Sequence, residues 1–163
     1  MSMQDFTEQE VNSCLEFHPK TGEVVAVNHH ALASMILQHL PMATIVETKE
    51  LLVYVRGHFV PNGTEIVHQC LVKLLAPYHK QNGQTAYNTF LLKEVLNIIH
   101  GMTYAESNRF DSNLDIINCT NGLLNWRTGE FIEHTPDYLS RIQINVDYNP
   151  DATCPTILDV FNT

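Results

Sequence analysis

The amino-acid sequence predicts an α+β fold, with about three main helices and small antiparallel hairpins between and after them. Two observations support this prediction. Apolar residues recur at helical spacing in three stretches, and short apolar stretches bounded by Gly, Pro and Asn lie between them. No series of alternating strands and helices indicates a parallel sheet. The 163 residues have the length of one domain, and an apolar content of 44% is enough for a core.

The first elements are predicted from their capping residues. Thr7 is expected to cap a short helix, which is followed by a turn at 18–22 and a strand at 23–27. Asn28 is expected to cap the first main helix, because its side-chain oxygen can accept a bond from a free backbone N–H. Pro41 ends that helix. The apolar residues of the two helices are Val11, Cys14 and Leu15, and then Ala31, Leu32, Met35, Ile36, Leu37 and Leu40.

Residues 43–60 are predicted to be β structure. A tight hairpin is expected at Arg56-Gly57, because glycine adopts the positive φ that such turns require. Thr64 is expected to cap the second main helix, and Pro77 to stop it. The apolar face of this helix consists of Ile66, Val67, Cys70, Leu71, Leu74 and Leu75.

The third main helix is predicted to be the longest, beginning after Thr85 and ending at Gly101. Its apolar residues are Tyr87, Leu91, Leu92, Val95, Leu96, Ile98 and Ile99. The later elements are predicted as a helical turn at 104–110, strands at 114–118, 123–126 and 130–133, a helical turn at 134–139 and a strand at 141–146. The chain then leaves in an extended segment that contains Pro150 and Pro155.

Composition excludes several classes of protein. The net charge is 9 − 18 = −9, and an acidic chain is a poor non-specific ligand for a phosphate backbone. The four cysteines form no C-x-x-C pair, so we expect buried free thiols and a cytoplasmic location. The sequence shows no signal-peptide pattern of a charged segment followed by an apolar one, and no apolar run of about 18 residues. We therefore expect a soluble protein with no membrane partner.

The sequence predicts no catalytic residue and no metal ligand. It contains no G-x-x-x-x-G-K-[ST] loop to hold ATP phosphates, no H-E-x-x-H and no G-x-S-x-G. The nine histidines share no ligand spacing. A zinc site from Cys70 and Cys119, within a small metal-dependent enzyme, is the alternative that these residue types leave open. Asp111 and Asp115 are interpreted as carboxylates of a solvated loop.

A nucleic-acid contact is the other alternative. The second and third helices followed by a hairpin suggest a winged-helix-like arrangement, in which a helix enters a groove and the wing touches phosphate. The candidate contact residues are Lys73, Lys80, Lys93, Arg109 and Arg127. Ordinary surface charge is the competing interpretation of all five.

The chain as a whole resembles the domain that precedes the superfamily 3 helicase in poxvirus-type and phage/plasmid-type primase–helicases. The resemblance begins near residue 16. It is carried by Ile117-Asn118-Cys119-Thr120-Asn121-Gly122-Leu123-Leu124-Asn125, Thr128-Gly129-Glu130, His134-Thr135-Pro136, Asp147-Tyr148-Asn149-Pro150 and Cys154-Pro155, with Leu52-Val53-Tyr54-Val55-Arg56-Gly57-His58-Phe59 and residues 92–110 upstream. The turn Arg56-Gly57 departs from the more acidic turn expected in that family.

The resemblance implies a division of the chain and a set of partners. Residues 1–15 would be an N-terminal arm or short helix, 16–146 an α+β helicase-accessory domain, and 147–163 an exit segment toward an ATPase domain outside this sequence. ATP and Mg²⁺ are expected only in that helicase domain, so this chain itself should need no cofactor. The implied partners are the adjacent primase and helicase domains, DNA, and further copies through a helicase ring.

The leading hypothesis is therefore a non-catalytic accessory or linker domain of a DNA primase–helicase that acts in replication of a virus, phage, plasmid or integrated element. The alternative is a stand-alone DNA-binding module of the winged-helix type.

Overall fold

The computed structural model describes residues 6–153, and these form an α+β structure as predicted. The helices are α1 (Glu8–Ser13), α2 (His29–His39), α3 (Gly63–Leu75) and α4 (Thr89–Thr103). The strands are β1 (Leu15–Phe17), β2 (Val24–Val27), β3 (Met42–Ile45), β4 (Leu51–Val55), β5 (His58–Val60), β6 (Tyr104–Ala105), β7 (Ile116–Cys119), β8 (Gly122–Asn125) and β9 (Phe131–Ile132). The three main helices of the prediction are α2, α3 and α4.

The strands form three small sheets. β1 and β2 form an antiparallel pair, the second sheet has the order β5-β4-β3-β6, and the third has the order β7-β8-β9. All pairings within these sheets are antiparallel except that of β3 with β6, which is parallel. The β7-β8 hairpin does not follow α4 directly, because β6 and a 3-10 turn at Ser107–Arg109 lie between them.

Two of the predicted helix caps are confirmed. The Thr7 side chain accepts a bond from the Glu10 N–H, and the Glu10 carboxylate accepts one from the Thr7 N–H, which is a complete capping box. The Thr7 amide and hydroxyl, together with His39, lower the pKa of Glu10 to about 2. Asn28 caps α2 by accepting from the Ala31 N–H at 3.0 Å. Leu15, predicted within the first helix, lies in β1 instead.

The other two predicted caps are wrong. Asn62, not Thr64, precedes α3, and a Cβ added at Gly63 would lie 2.6 Å from Leu51 Cγ. The helix therefore begins where only glycine can contact β4. Asn88, not Thr85, caps α4 by accepting from the Leu91 N–H at 2.8 Å.

The predicted end of α4 is also wrong. Gly101 lies within α4, which runs on to Thr103, and the Thr103 hydroxyl donates to Ile99 O at 2.8 Å. Only the second half of the predicted helical turn at 104–110 is helical, because residues 104–105 pair with β3.

The larger core lies between the helices and one face of the second sheet. Five side chains without exposed surface mark its centre: Leu32, Ile36, Leu71, Val95 and Ile99. A smaller core lies on the other face of that sheet, where Leu52 and Phe59 contact Phe110 and Ala105. The second sheet is thus buried on both sides. Among residues 6–153, no helix meets the length and hydropathy that a membrane span requires.

The segment at 141–146 is not a strand, contrary to the prediction, although it runs along β7. The Ile144 N–H donates to Asn118 O at 2.9 Å, and the Thr120 N–H donates to Val146 O at 3.1 Å. A backbone bond from Val146 to Ile144 bends the segment between those two contacts, which prevents a regular ladder.

Candidate functional site

Residues that are far apart in sequence meet at the turn between β7 and β8. This turn consists of Thr120 and Asn121, and the chain returns to it at Asp147 and Tyr148, 27 residues later. We call these four residues the exit clamp, because the chain passes through them as it leaves the third sheet. They belong to the motifs that carry the family resemblance, so the structure brings the two motifs into direct contact.

Three hydrogen bonds join the residues of the exit clamp, and a fourth joins Thr120 to the neighbouring Val146. The Tyr148 N–H donates to Asn121 Oδ1 at 2.8 Å, and Asn121 Nδ2 donates back to Tyr148 O at 2.9 Å. The Thr120 hydroxyl donates to Asp147 Oδ1, and the Thr120 N–H donates to Val146 O. The Asn121 amide therefore acts as a strand partner would, satisfying both backbone groups of one residue.

An aromatic contact between β9 and Tyr148 also holds the exit clamp. The rings of Phe131 and Tyr148 lie 5.1 Å apart between centroids. Phe131 also lies over Gly122, where an added Cβ would be 2.5 Å from Phe131 Cζ and 2.6 Å from Ile132 O. Glycine is needed at position 122 because β9 and Phe131 approach the backbone of β8 so closely.

A second set of polar side chains lies beside the exit clamp at β7 and joins the third sheet to the second. Asn118 is 5% exposed, and its Nδ2 donates to Gly57 O at 2.9 Å. Gln143 Nε2 donates to Arg56 O at 2.9 Å. We call Gly57, Asn118, His134 and Gln143 the inter-sheet network. It connects the β4-β5 hairpin, β7 and the segment beside β7.

His134 is fixed in one orientation by this network. Its Nε2 lies 2.8 Å from Cys119 O and 3.1 Å from Asn118 Oδ1. Both partners are acceptors, so Nε2 must carry the proton. A Cβ at Gly57 would lie 2.6 Å from three atoms of the His134 ring, and Gly57 has a φ of +89°. The predicted tight turn at Arg56-Gly57 is confirmed, with positive φ at both residues.

The local electrostatics do not favour a reactive thiol. Burial raises the pKa of the Cys119 thiol, and the neighbouring Asp147 carboxylate raises it further. A thiol that stays protonated is a weak nucleophile and a weak metal ligand. Cys14, Cys70 and Cys119 are free and buried as predicted, whereas Cys154 lies outside the described residues. Across residues 6–153, no three His, Cys, Asp or Glu side chains are placed to hold a metal ion.

The five predicted nucleic-acid contact residues lie on separate elements. Lys73 is near the end of α3, Lys80 in the loop that follows it, and Lys93 in the second turn of α4. Arg109 ends the 3-10 turn after β6. Arg127, in the β8-β9 turn, donates to the Asp115 carboxylate and lies over the Trp126 ring. Asp115 is therefore the partner of Arg127, while a DNA-contact role for the five cations stays a prediction.

The comparison with known families gives a direct match. A family model described as D5 N terminal like matches residues 30–163. The chain belongs to the D5 N terminal-like family. This family is an N-terminal domain of D5-type primase–helicase proteins. The comparison with curated proteins finds no match.

The matched region of this D5 N terminal-like domain begins at α2 and contains the exit clamp and the inter-sheet network. The family match covers residues 154–163 as well, including Cys154 and Pro155 of the resemblance, which lie outside the described residues. The predicted boundaries at 15/16 and 146/147 stay predictions.

Sequence reasoning found the motifs of the clamp but not their contact. Nothing in the spacing of Asn121 indicates Tyr148 as its partner. His134 and Gln143 carried no recognised ligand pattern. The only available signals were the short Asn-Gly and Asp-Tyr motifs, whose meeting depends on the path of β8 and β9.

Proposed function

We propose that this domain is a non-catalytic accessory and linker part of a D5-type primase–helicase that acts in DNA replication. Its task is to hold the polypeptide in a fixed direction where it leaves the third sheet toward an ATPase domain. The exit clamp is the observation that carries this proposal. The family match supports the primase–helicase context, and the missing phosphate-binding loop supports a role without ATP chemistry.

The energetics favour a directional role for the clamp. Fixing the backbone of one residue costs about 1–2 kcal/mol of conformational entropy. Each hydrogen bond contributes about 0.5–1.5 kcal/mol net. The four hydrogen bonds and one aromatic contact therefore contribute about as much free energy as it costs to fix residues 146–148 in one conformation at the surface. A linker that only tethered two domains would not need such a set.

The absence of ATP chemistry is tested directly on the pure chain. We expect no ATP turnover above that of a buffer blank, with or without DNA. Robust turnover that co-purifies with the chain would contradict the proposal.

The directional role is tested in a primase–helicase that carries this domain before its ATPase. Asn121→Ala removes both bonds to Tyr148. We expect less DNA to be unwound per ATP hydrolysed, because this domain and the ATPase domain are no longer held in a fixed relative orientation. The control is Asn149→Ala, since the Asn149 side chain accepts only a local bond from the Asp151 N–H. Equal unwinding by the two variants would count against the clamp as a directing element.

A further inference from the structure

A cleft on the third sheet remains outside the clamp and the inter-sheet network. It lies between β7 and the segment at 139–146 and has a volume of about 240 Å³. Its aliphatic walls are Leu114, Ile116, Ile117, Ile142 and Ile144, and we call it the aliphatic cleft. Leu114 is 86% exposed, Ile142 69% and Ile144 44%. Adjacent exposed aliphatic residues of this kind mark interaction surfaces more often than isolated ones do.

Most polar side chains of the cleft already have partners. The Tyr138 hydroxyl donates to Asn113 O at 2.9 Å, and the Ser140 hydroxyl donates to Asp111 Oδ1 at 2.9 Å. The Asn118 side chain belongs to the inter-sheet network. The neutral polar groups therefore offer little to an incoming ligand, and the affinity of the cleft has to come from apolar contact.

Asp111 is the one charged side chain among the residues that line the cleft. Its Oδ1 accepts from the Ser140 hydroxyl and from the Arg141 N–H at 3.0 Å. Its Oδ2 accepts only from the Arg141 N–H at 3.2 Å, which leaves that oxygen with capacity for a cation. The Asp111 carboxylate, interpreted from the sequence as part of a solvated loop, is instead held by the Ser140 hydroxyl and by the backbone N–H groups of Arg141 and Ile142.

Hydrogen bonds hold the backbone along one wall of the cleft. The Asp111 carboxylate holds the backbone at Arg141 and Ile142, and the Ile144 N–H is bonded to Asn118 O. A preformed apolar surface loses little conformational entropy on binding.

We propose that the aliphatic cleft is a docking site for a peptide segment of a protein partner that presents aliphatic side chains beside one lysine or arginine. The aliphatic side chains would lie against Leu114, Ile142 and Ile144. The cation would reach Asp111 Oδ2. The net charge of −9 on the chain favours a basic partner over an acidic one at longer range.

The test uses the purified chain and a random heptapeptide library displayed on phage. We expect enriched peptides to combine two or more aliphatic residues with a Lys or Arg. One enriched peptide, labelled with fluorescein, is then measured by fluorescence polarisation. Replacing its cation with Glu should weaken binding roughly five-fold, because a like charge would face Asp111.

Protein variants locate the binding site. Ile142→Ser or Leu114→Ser should weaken peptide binding about ten-fold or more, since each removes an aliphatic contact. Both positions are exposed, so folding should be retained. The matched control is Phe90→Ser, at an apolar side chain of α4 that is 64% exposed and is not part of the cleft.

Four outcomes would overturn the proposal. The first is an enriched set without cations or without aliphatic residues. The second is a peptide affinity that Ile142→Ser and Phe90→Ser leave equally unchanged. The third is self-association in sedimentation that Ile142→Ser abolishes, because the occupant would then be a second copy of the chain. A library that yields no enriched peptide also counts against the proposal.

Discussion

The helical core and the third sheet are stabilised by different chemistry. The core between α2, α3 and α4 is made of aliphatic side chains without exposed surface. The third sheet buries little apart from Asn118, Cys119, Gly122 and Leu123, and side chain-to-backbone hydrogen bonds hold it in place. Most of the apolar burial that stabilises the fold therefore lies in the first region, whereas the exit clamp, which carries the proposed linker role, lies in the second.

The largest effect is expected in the helical core. Leu71→Ala should lower the free energy of unfolding by about 2–5 kcal/mol, through lost burial and a residual cavity. The control is Val72→Ala, the next residue of α3, whose side chain is 40% exposed. Urea denaturation of the pure chain measures both. A Val72→Ala loss as large as that of Leu71→Ala would contradict the packing described for α3.

The next effect is expected where the two sheets meet. Gly57→Ala places a methyl group against the His134 ring at a position with positive φ. We therefore expect the free energy of unfolding to fall by about 3 kcal/mol. Gly129→Ala is the matched control, because Gly129 has a φ of +75° with open space around its Cβ position. Gly129→Ala should lower the free energy of unfolding by only about 1 kcal/mol. The difference, read from urea midpoints, isolates the steric contact with His134.

The smallest effect is expected from pH. Burial, and then the Lys49 charge, lower the pKa of His100 below 6.5 in the folded chain. The unfolded chain therefore binds more protons just below pH 6.5, so this contribution to stability is full above pH 6.5 and falls as pH drops through the lowered pKa. His100→Gln should flatten that part of the stability profile relative to wild type. Parallel profiles for the two proteins would show that His100 is not desolvated in this way.

Hydrogen bonding determines which ring nitrogen of neutral His100 carries the proton. The Thr103 hydroxyl donates to Ile99 O, and Thr44 Oγ1 lies 2.8 Å from Thr103 Oγ1 and 3.1 Å from His100 Nδ1. All three contacts are satisfied when Thr44 donates to Thr103 and His100 Nδ1–H donates to Thr44. Thr44 is fully buried, so such pairing is required there.

Local sequence signals predicted the elements better than their ends. The capping box at Thr7 and the Asn28 cap depend on residues three positions apart, and both were confirmed. Thr64 and Thr85 looked equally suitable as caps. They failed because the start of α3 is set by contact of Gly63 with Leu51, and the start of α4 by the stronger Asn88 cap. Gly101 failed as a stop because Thr103, beyond it, still bonds to Ile99 O within α4 and to Thr44 of β3.

The sequence by itself determined the α+β class, the three main helices, the tight turn at Arg56-Gly57 and the family of the domain, because periodicity, glycine and short motifs act over a few residues. Tertiary structure alone decided that Asn121 meets Tyr148, that His134 lies over Gly57, and that Asp111 lines an aliphatic cleft. Those contacts join residues 27 to 77 positions apart in the chain. Their partners depend on how three sheets pack, which no local pattern records.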